Sequence, residues 1–232
     1  MQTKRILAAV LSVGIMTAVS GCLSNGTGGG GGGGGTGSDF QTNFDAVSSR
    51  GPTSDMPTSL SGNYTGQFKL TTTGGSAELF EPGFSTDQAE ITGELDIDVA
   101  WTEGQNTNPF SGTASNIVAT EAGGGNSVAL DGTLSVDDSQ PYSLTRNHIP
   151  EQVIMGQTVP ATDTGAFLFH MTGELSHGEN TGDAHMQLGG TFFGPGGNAM
   201  VGSMSGGIND VDNPTPQVFD VGASGQFFTN KQ

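Results

Sequence analysis

The sequence predicts an all-β chain, a single antiparallel eight-stranded β-barrel, and three observations carry that prediction. Beyond residue 61 apolar and polar residues alternate with a period of two, the signature of strands with one buried face. A five-residue pattern, apolar-x-Gly-x-apolar, recurs eight times within that alternation. No stretch of comparable length repeats its apolar residues with a helical period.

Ahead of the barrel lie two segments of different composition. Lys4 and Arg5 precede an apolar run over residues 6–19, too short for a membrane span of about 20 residues but laid out like an export signal. Val19, Ser20, Gly21 and Cys22 resemble a lipobox, the signal of bacterial lipoproteins. The resemblance implies cleavage before Cys22 and attachment of fatty acyl chains, palmitate among them, to the only cysteine in the chain. Two acyl chains suffice for stable anchoring where one is marginal. Residues 1–21 are therefore expected to be a signal peptide and Cys22 the lipidation site.

Residues 22–60 read as a flexible tether. Eight consecutive glycines fill positions 28–35, and ordering them would cost more backbone entropy than contacts return. No strand precedes the run and no Lys-Ser/Thr pair closes it, so it is not a phosphate-binding loop. Residues 38–59 stay polar, with Pro52 and Pro57, and a short ordered piece is expected near residues 44–47. As a coil the tether would reach roughly 35 Å.

Residues 61–232 form the expected barrel domain. The repeat occurs as Tyr64/Gly66/Phe68, Ile91/Gly93/Leu95, Phe110/Gly112/Ala114 and Leu130/Gly132/Leu134. It continues as Met171/Gly173/Leu175, Leu188/Gly190/Phe192, Met200/Gly202/Met204 and Ala223/Gly225/Phe227. Glycine weakens a strand and marks a sharp bend or a close backbone approach. A sheet closing into a small barrel needs that coiling and leaves little interior room. An open sandwich does not need a glycine inside every strand. Tight turns are expected at residues 180–182 and 195–197, and longer excursions at 73–90, 137–164 and 209–218. The second excursion carries Tyr142, Arg146, His148, Ile149, Val153, Ile154 and Met155, side chains suited to an interface or to covering a barrel end.

Charge excludes one class of partner. The chain holds 23 acidic residues and 6 Lys or Arg, a formal net charge of −17. Such a polyanion is repelled by phosphate backbones, so nucleic acid is not an expected ligand. Enzymatic activity is not expected either. The acidic residues mostly alternate outward or lie in loops, and no nucleophile motif occurs in a strand-to-helix setting.

Residues 190–195, Gly-Thr-Phe-Phe-Gly-Pro, followed by residues 198–206, Asn-Ala-Met-Val-Gly-Ser-Met-Ser-Gly, resemble the hallmark hairpin of transferrin-binding-protein-B-like barrels. The closing Gly225, Gln226, Phe227 and Phe228 are similar as well. The lipidated cysteine and glycine tether resemble those of factor-H-binding lipoproteins of the same barrel class. Met200 stands where the family hairpin carries Glu, and a single barrel replaces the two lobes of transferrin-binding members. The resemblance implies an outer-membrane lipoprotein displayed at the cell surface by export and assembly-modulator machinery. It also implies binding of a host or carrier protein, or of haem.

The candidate ligand-binding residues are Tyr142 and Arg146 as aromatic and cationic anchors in the long excursion. His148 and His177 are candidates for a haem-scavenging alternative. No resident cofactor is expected, and a passive envelope protein is the remaining reading. His170 and His185 are expected to face outward, and Met171, Met186, Met200 and Met204 to fill the core. Asn209, Asp210, Asp212 and Asn213 lack the spacing of a calcium loop.

Overall fold

The computed structural model describes residues 37–74, 84–210 and 219–232. The expected signal peptide, Cys22 and the glycine run lie outside the described residues. Residues Gly34–Gln232 belong to one compact unit.

A helix, α1 (Gly37–Ser48), precedes β1 (Ser59–Thr73), β2 (Glu90–Thr102), β3 (Phe110–Thr120), β4 (Ser127–Gly132), β5 (Leu134–Val136) and β6 (Ser143–Ile149). A small hairpin follows, β7 (Gln152–Ile154) and β8 (Gln157–Val159). The chain then completes the sheet with β9 (Thr162–His177), β10 (Asn180–Phe193), β11 (Ala199–Asp210) and β12 (Val221–Lys231). All strand pairings between these elements are antiparallel, and β12 pairs back onto β1. On the other side β3 pairs with β4 and β5, and both pair with β9, which closes the ring. The short β6 continues this line by pairing with the first half of β9. β4, β5 and β6 together make one interrupted stave, so the ten-stranded sheet has eight staves in up-and-down order.

Each copy of the glycine repeat falls on a different stave. At seven of the eight glycines an added Cβ would lie inside contact distance of a backbone carbonyl of the neighbouring strand. Gly66 meets Phe228 O, Gly112 meets Asp96 O, Gly190 meets Val201 O and Gly225 meets Lys69 O. The eighth, Gly93, would strike the ring of Phe68. Coiling has turned the Cβ direction from the barrel axis toward the adjacent strand. The glycines are therefore required by strand-to-strand approach more than by lack of axial room.

The inner face is filled. Tyr64, Phe68, Phe169, Phe192 and Phe227 are each almost wholly buried. Phe110 stacks on Phe169 with ring centres 4.6 Å apart, and Phe167 meets Phe192 edge-on at 5.2 Å. On β2 the face Ile91, Gly93, Leu95, Ile97, Val99 and Trp101 is buried, while Glu94, Asp96 and Asp98 are exposed. Met171, Met186, Met200 and Met204 are core residues, as expected.

The tether expected as far as residue 60 gives way to ordered chain from residue 37. The expected ordered piece at 44–47 lies inside α1, a full 12-residue helix. A helix of this length is marginal in water by itself. Phe40, Phe44 and Val47, spaced i, i+4 and i+7, supply the anchoring face. They sit on the outer wall against Ala199, Val201, Phe228 and Phe193. Phe40 lies 5.5 Å from Phe228 between ring centres. Residues 51–56 then bind across a barrel end, with Thr53 N donating to Phe192 O at 2.9 Å and Met56 N to Asp163 O at 2.9 Å. One expected turn also moves. The β9–β10 loop is residues 178–179, with Gly178 at φ 63, because His177 and Asn180 are paired. The turn at Pro195–Gly197 is a 3-10 turn at the expected place.

The matched neighbours Gly189 and Gly190 test the close approach. An added Cβ at Gly189 meets Leu168 Cδ1 at 3.4 Å and Phe167 O at 3.7 Å, both ordinary contacts. Gly190→Ala is expected to cost about 1–3 kcal/mol by overpacking, and Gly189→Ala less than about 1 kcal/mol. Urea unfolding midpoints compare the two, and equal losses would contradict the assignment.

Candidate functional site

One rim of the barrel collects the connections of β2–β3, β6–β9 and β10–β11, together with residues 51–58. The β6–β9 excursion dominates it. Seven consecutive pairs tie β6 to β9, from Ser143↔Leu168 to Ile149↔Thr162. Beyond them the chain projects as the β7–β8 hairpin. Its two-residue loop is Met155 and Gly156, both at positive φ, 51° and 81°. Two positive-φ residues suit the twist of a tight hairpin, which explains Gly156 in this loop.

The hairpin root is held by charge. Arg146 Nη2 lies 2.7 Å from Asp163 Oδ1, and Nη1 lies 3.6 Å from Glu103 Oε2. Arg146 Nε donates to Met56 O at 2.8 Å. His148 Nδ1 also sits 2.7 Å from Asp163 Oδ1. The His148 hydrogen bond foremost, and the Arg146 charge after it, hold the Asp163 carboxyl below its usual value. On the same rim Asp55 is lowered by the Gly196 N–H, 2.7 Å from its Oδ1, and then by the Thr53 hydroxyl. Under these groups Tyr64 donates its hydroxyl to Gly197 O at 2.8 Å, and burial pushes its pKa well up. Met56 is buried at the same end, beside Gly165 and Gly197.

Three of the four candidate ligand residues therefore share this rim, each with its own intramolecular contact. Tyr142 is partly buried against the core, its hydroxyl donating to Asn106 O at 2.9 Å. Arg146 and His148 converge on Asp163. His177 stands at the far end of β9, with Nδ1 3.0 Å from Ala129 O. Fourteen residue steps along the strand separate it from Asp163, roughly 45 Å at about 3.3 Å per residue. His148 and His177 thus lie at opposite rims and do not form one pair of ligands. Among the described residues no three His, Cys, Asp or Glu side chains group closely enough to hold a metal ion. His170 is on the outer face, its Nδ1 2.8 Å from Pro141 O.

What the rim offers outward is apolar. Val153 is 69 % exposed, Ile154 53 % and Met155 fully exposed. Ile149 and Val159 extend the exposed apolar surface at the hairpin base. Val159 was not legible as a site residue, because cross-strand pairing with Gln152 is what brings it there. No charge occurs over residues 152–162, an uncharged tip on a strongly anionic protein. No protein-family model matches the chain, and neither a curated protein nor a solved structure matches it.

The depressed pKa values fix a direction for acid sensitivity. A carboxylate whose folded pKa lies below its unfolded value contributes stability that is complete above the unfolded value. That contribution disappears as pH falls through the folded pKa. Asp163 should therefore titrate below the ordinary aspartate value of about 3.9, and His148→Ala should move its midpoint upward. Carboxyl NMR shifts recorded against pH check both. A midpoint at or above the ordinary value would contradict the Arg146–Asp163–His148 arrangement.

Proposed function

We propose that the chain is a lipid-anchored protein of the outer membrane, displayed at the cell surface, whose barrel rim binds a host or nutrient-carrying protein. On this reading it performs no chemistry on its ligand. The hallmark-like hairpin at residues 190–206 and the lipobox-like Cys22 support the same class of surface lipoprotein. The observation that carries the proposal is the uncharged β7–β8 hairpin, with Val153, Ile154 and Met155 presented to solvent. Exposed apolar patches on a folded monomer mark interaction sites. A filled barrel core directs recognition to the outside of the barrel. The Arg146–Asp163 pair supplies rigidity at the hairpin root, which lowers the ordering cost of binding.

Tyr142 and Arg146 act in this account by positioning the hairpin rather than by forming the main contact. Their replacement is expected to weaken binding through loss of order at the root.

Replacing Val153, Ile154 and Met155 together by serine removes the apolar tip without touching the barrel. Binding to a panel of purified host-serum and metal-carrier proteins is expected to fall at least about tenfold, a loss of about 1.4 kcal/mol. Unchanged far-ultraviolet circular dichroism would establish that the variant is folded. Binding equal to that of the unmodified chain would remove the hairpin from the account. Anchoring has its own check: cells fed radioactive palmitate should label the protein, and Cys22→Ala should abolish the label. Protease added to intact cells should degrade it if it is displayed outside.

A further inference from the structure

The outer wall carries a second feature that owes nothing to the rim. Two depressions run along the flank of α1 over β1, β2, β3 and β12, of about 610 Å³ and about 640 Å³. Gln67 and Glu94 line both, so the two form one elongated groove. Its size falls in the range of small-molecule sites, about 300–1,000 Å³ each.

The groove is shaped by irregularities in the sheet. The β2–β3 register shifts between Thr92 and Glu94, and Asn116 opposite takes φ 52. That bulge directs Asn116 Nδ2 onto Glu94 Oε2 at 2.6 Å. Gln88, another lining residue, has φ 59. Two of the three non-glycine residues with positive φ among the described residues thus line this groove. Gly93 supplies the floor, where a side chain would meet the Phe68 ring, and Phe40 and Val118 add apolar wall.

Uncharged hydrogen-bonding groups dominate the rest. Gln67, Gln88 and Asn116 serve the first depression and Asn43 and Asn230 the second. Gln67 Oε1 and Asn230 Oδ1 are buried acceptors with no hydrogen-bond partner among the described residues. Leaving such acceptors unmet costs free energy that a ligand's donors would recover. Glu90, Glu94 and Glu121 line the first depression, and Asp96 with Arg50 the second, so carboxylates outnumber the single guanidinium, which disfavours an anion. An elongated groove with amide side chains, unmet acceptors and small apolar areas suits a linear chain rich in hydroxyls. Its hydroxyls would donate to the amide and carboxylate oxygens, and its C–H faces would rest on Phe40, Gly93 and Val118.

From this geometry we infer that the outer-wall groove is a binding site for a short, uncharged oligosaccharide. The site is independent of the hairpin and of any protein partner.

The test uses residues 34–232, the compact unit, labelled for amide NMR. Neutral cello-, malto- and chito-oligosaccharides are titrated separately, with a uronate oligomer as the anionic comparison. At least one neutral oligomer should shift the amides of Gln67, Thr92 and Asn116 in a saturable manner. Thr92→Trp, which fills the groove from its outward face, should weaken that binding at least tenfold. Asn116→Ala should weaken it as well, and Asp131→Asn on β4 should leave it unchanged. Each variant's amide spectrum reports whether the barrel has kept its fold. Failure of every neutral oligomer to bind would overturn the inference. So would tighter binding of the uronate oligomer, or binding that survives Thr92→Trp in a folded protein.

Discussion

Everything in this structure depends on how closely adjacent strands approach at seven of the eight repeat glycines. Where the Cβ of any other residue would overlap the next strand's carbonyl, neighbouring backbones come together and the sheet coils tightly enough to close. The closure leaves an interior that Tyr64, Phe169, Phe192 and Phe227 fill. It also removes the long exposed edges that make open sheets prone to aggregation. With a single cysteine the chain cannot add an intramolecular disulfide, so the fold rests on this coiling and on the packing it permits.

A closed and filled barrel displaces recognition to its rims and outer wall. At one rim the wall is extended by β6, which borrows only the first half of β9 as a partner. Such a short, one-sided strand needs further support. Arg146 supplies it by joining Asp163, Glu103 and the Met56 carbonyl. Beyond this root Val153, Ile154 and Met155 of the β7–β8 hairpin stand exposed to solvent. Rigidity at the base and apolar exposure at the tip thus meet in one excursion. On the outer wall, the β2–β3 bulge works in a comparable way, giving up regular pairing at Gly93 to aim Asn116 along the groove.

Much of the fold was legible in the sequence because period-two alternation and the glycine repeat are local signals. Each of the eight copies lies on its own stave, and the inward face of β2 was readable residue by residue. The outward His170 and the buried methionines followed from the same alternation. Other features were not legible, for physical reasons. α1 is rich in Gly, Ser, Thr, Asn and Asp, weak helix formers, and is helical because Phe40, Phe44 and Val47 find an apolar strip on the barrel. That i, i+4, i+7 spacing was its only advance signal. The division of one stave into β4, β5 and β6 depends on pairing with β9, a partner remote in sequence. Arg146 and His148 stood out as groups facing a partner, whereas both bond to Asp163. The groove combines residues from α1 and five strands, and no single stretch announces it.

The central claim is that contact with a partner is made by the uncharged hairpin beyond the Arg146–Asp163 root. The most direct measurement places a photo-reactive amino acid at position 155 or, separately, at position 131 on the barrel wall, in protein displayed on cells exposed to host fluid. The account predicts a discrete crosslinked protein at position 155, absent at position 131 and competed away by the unmodified chain. Equal crosslinking at both positions, or none at position 155, would contradict it.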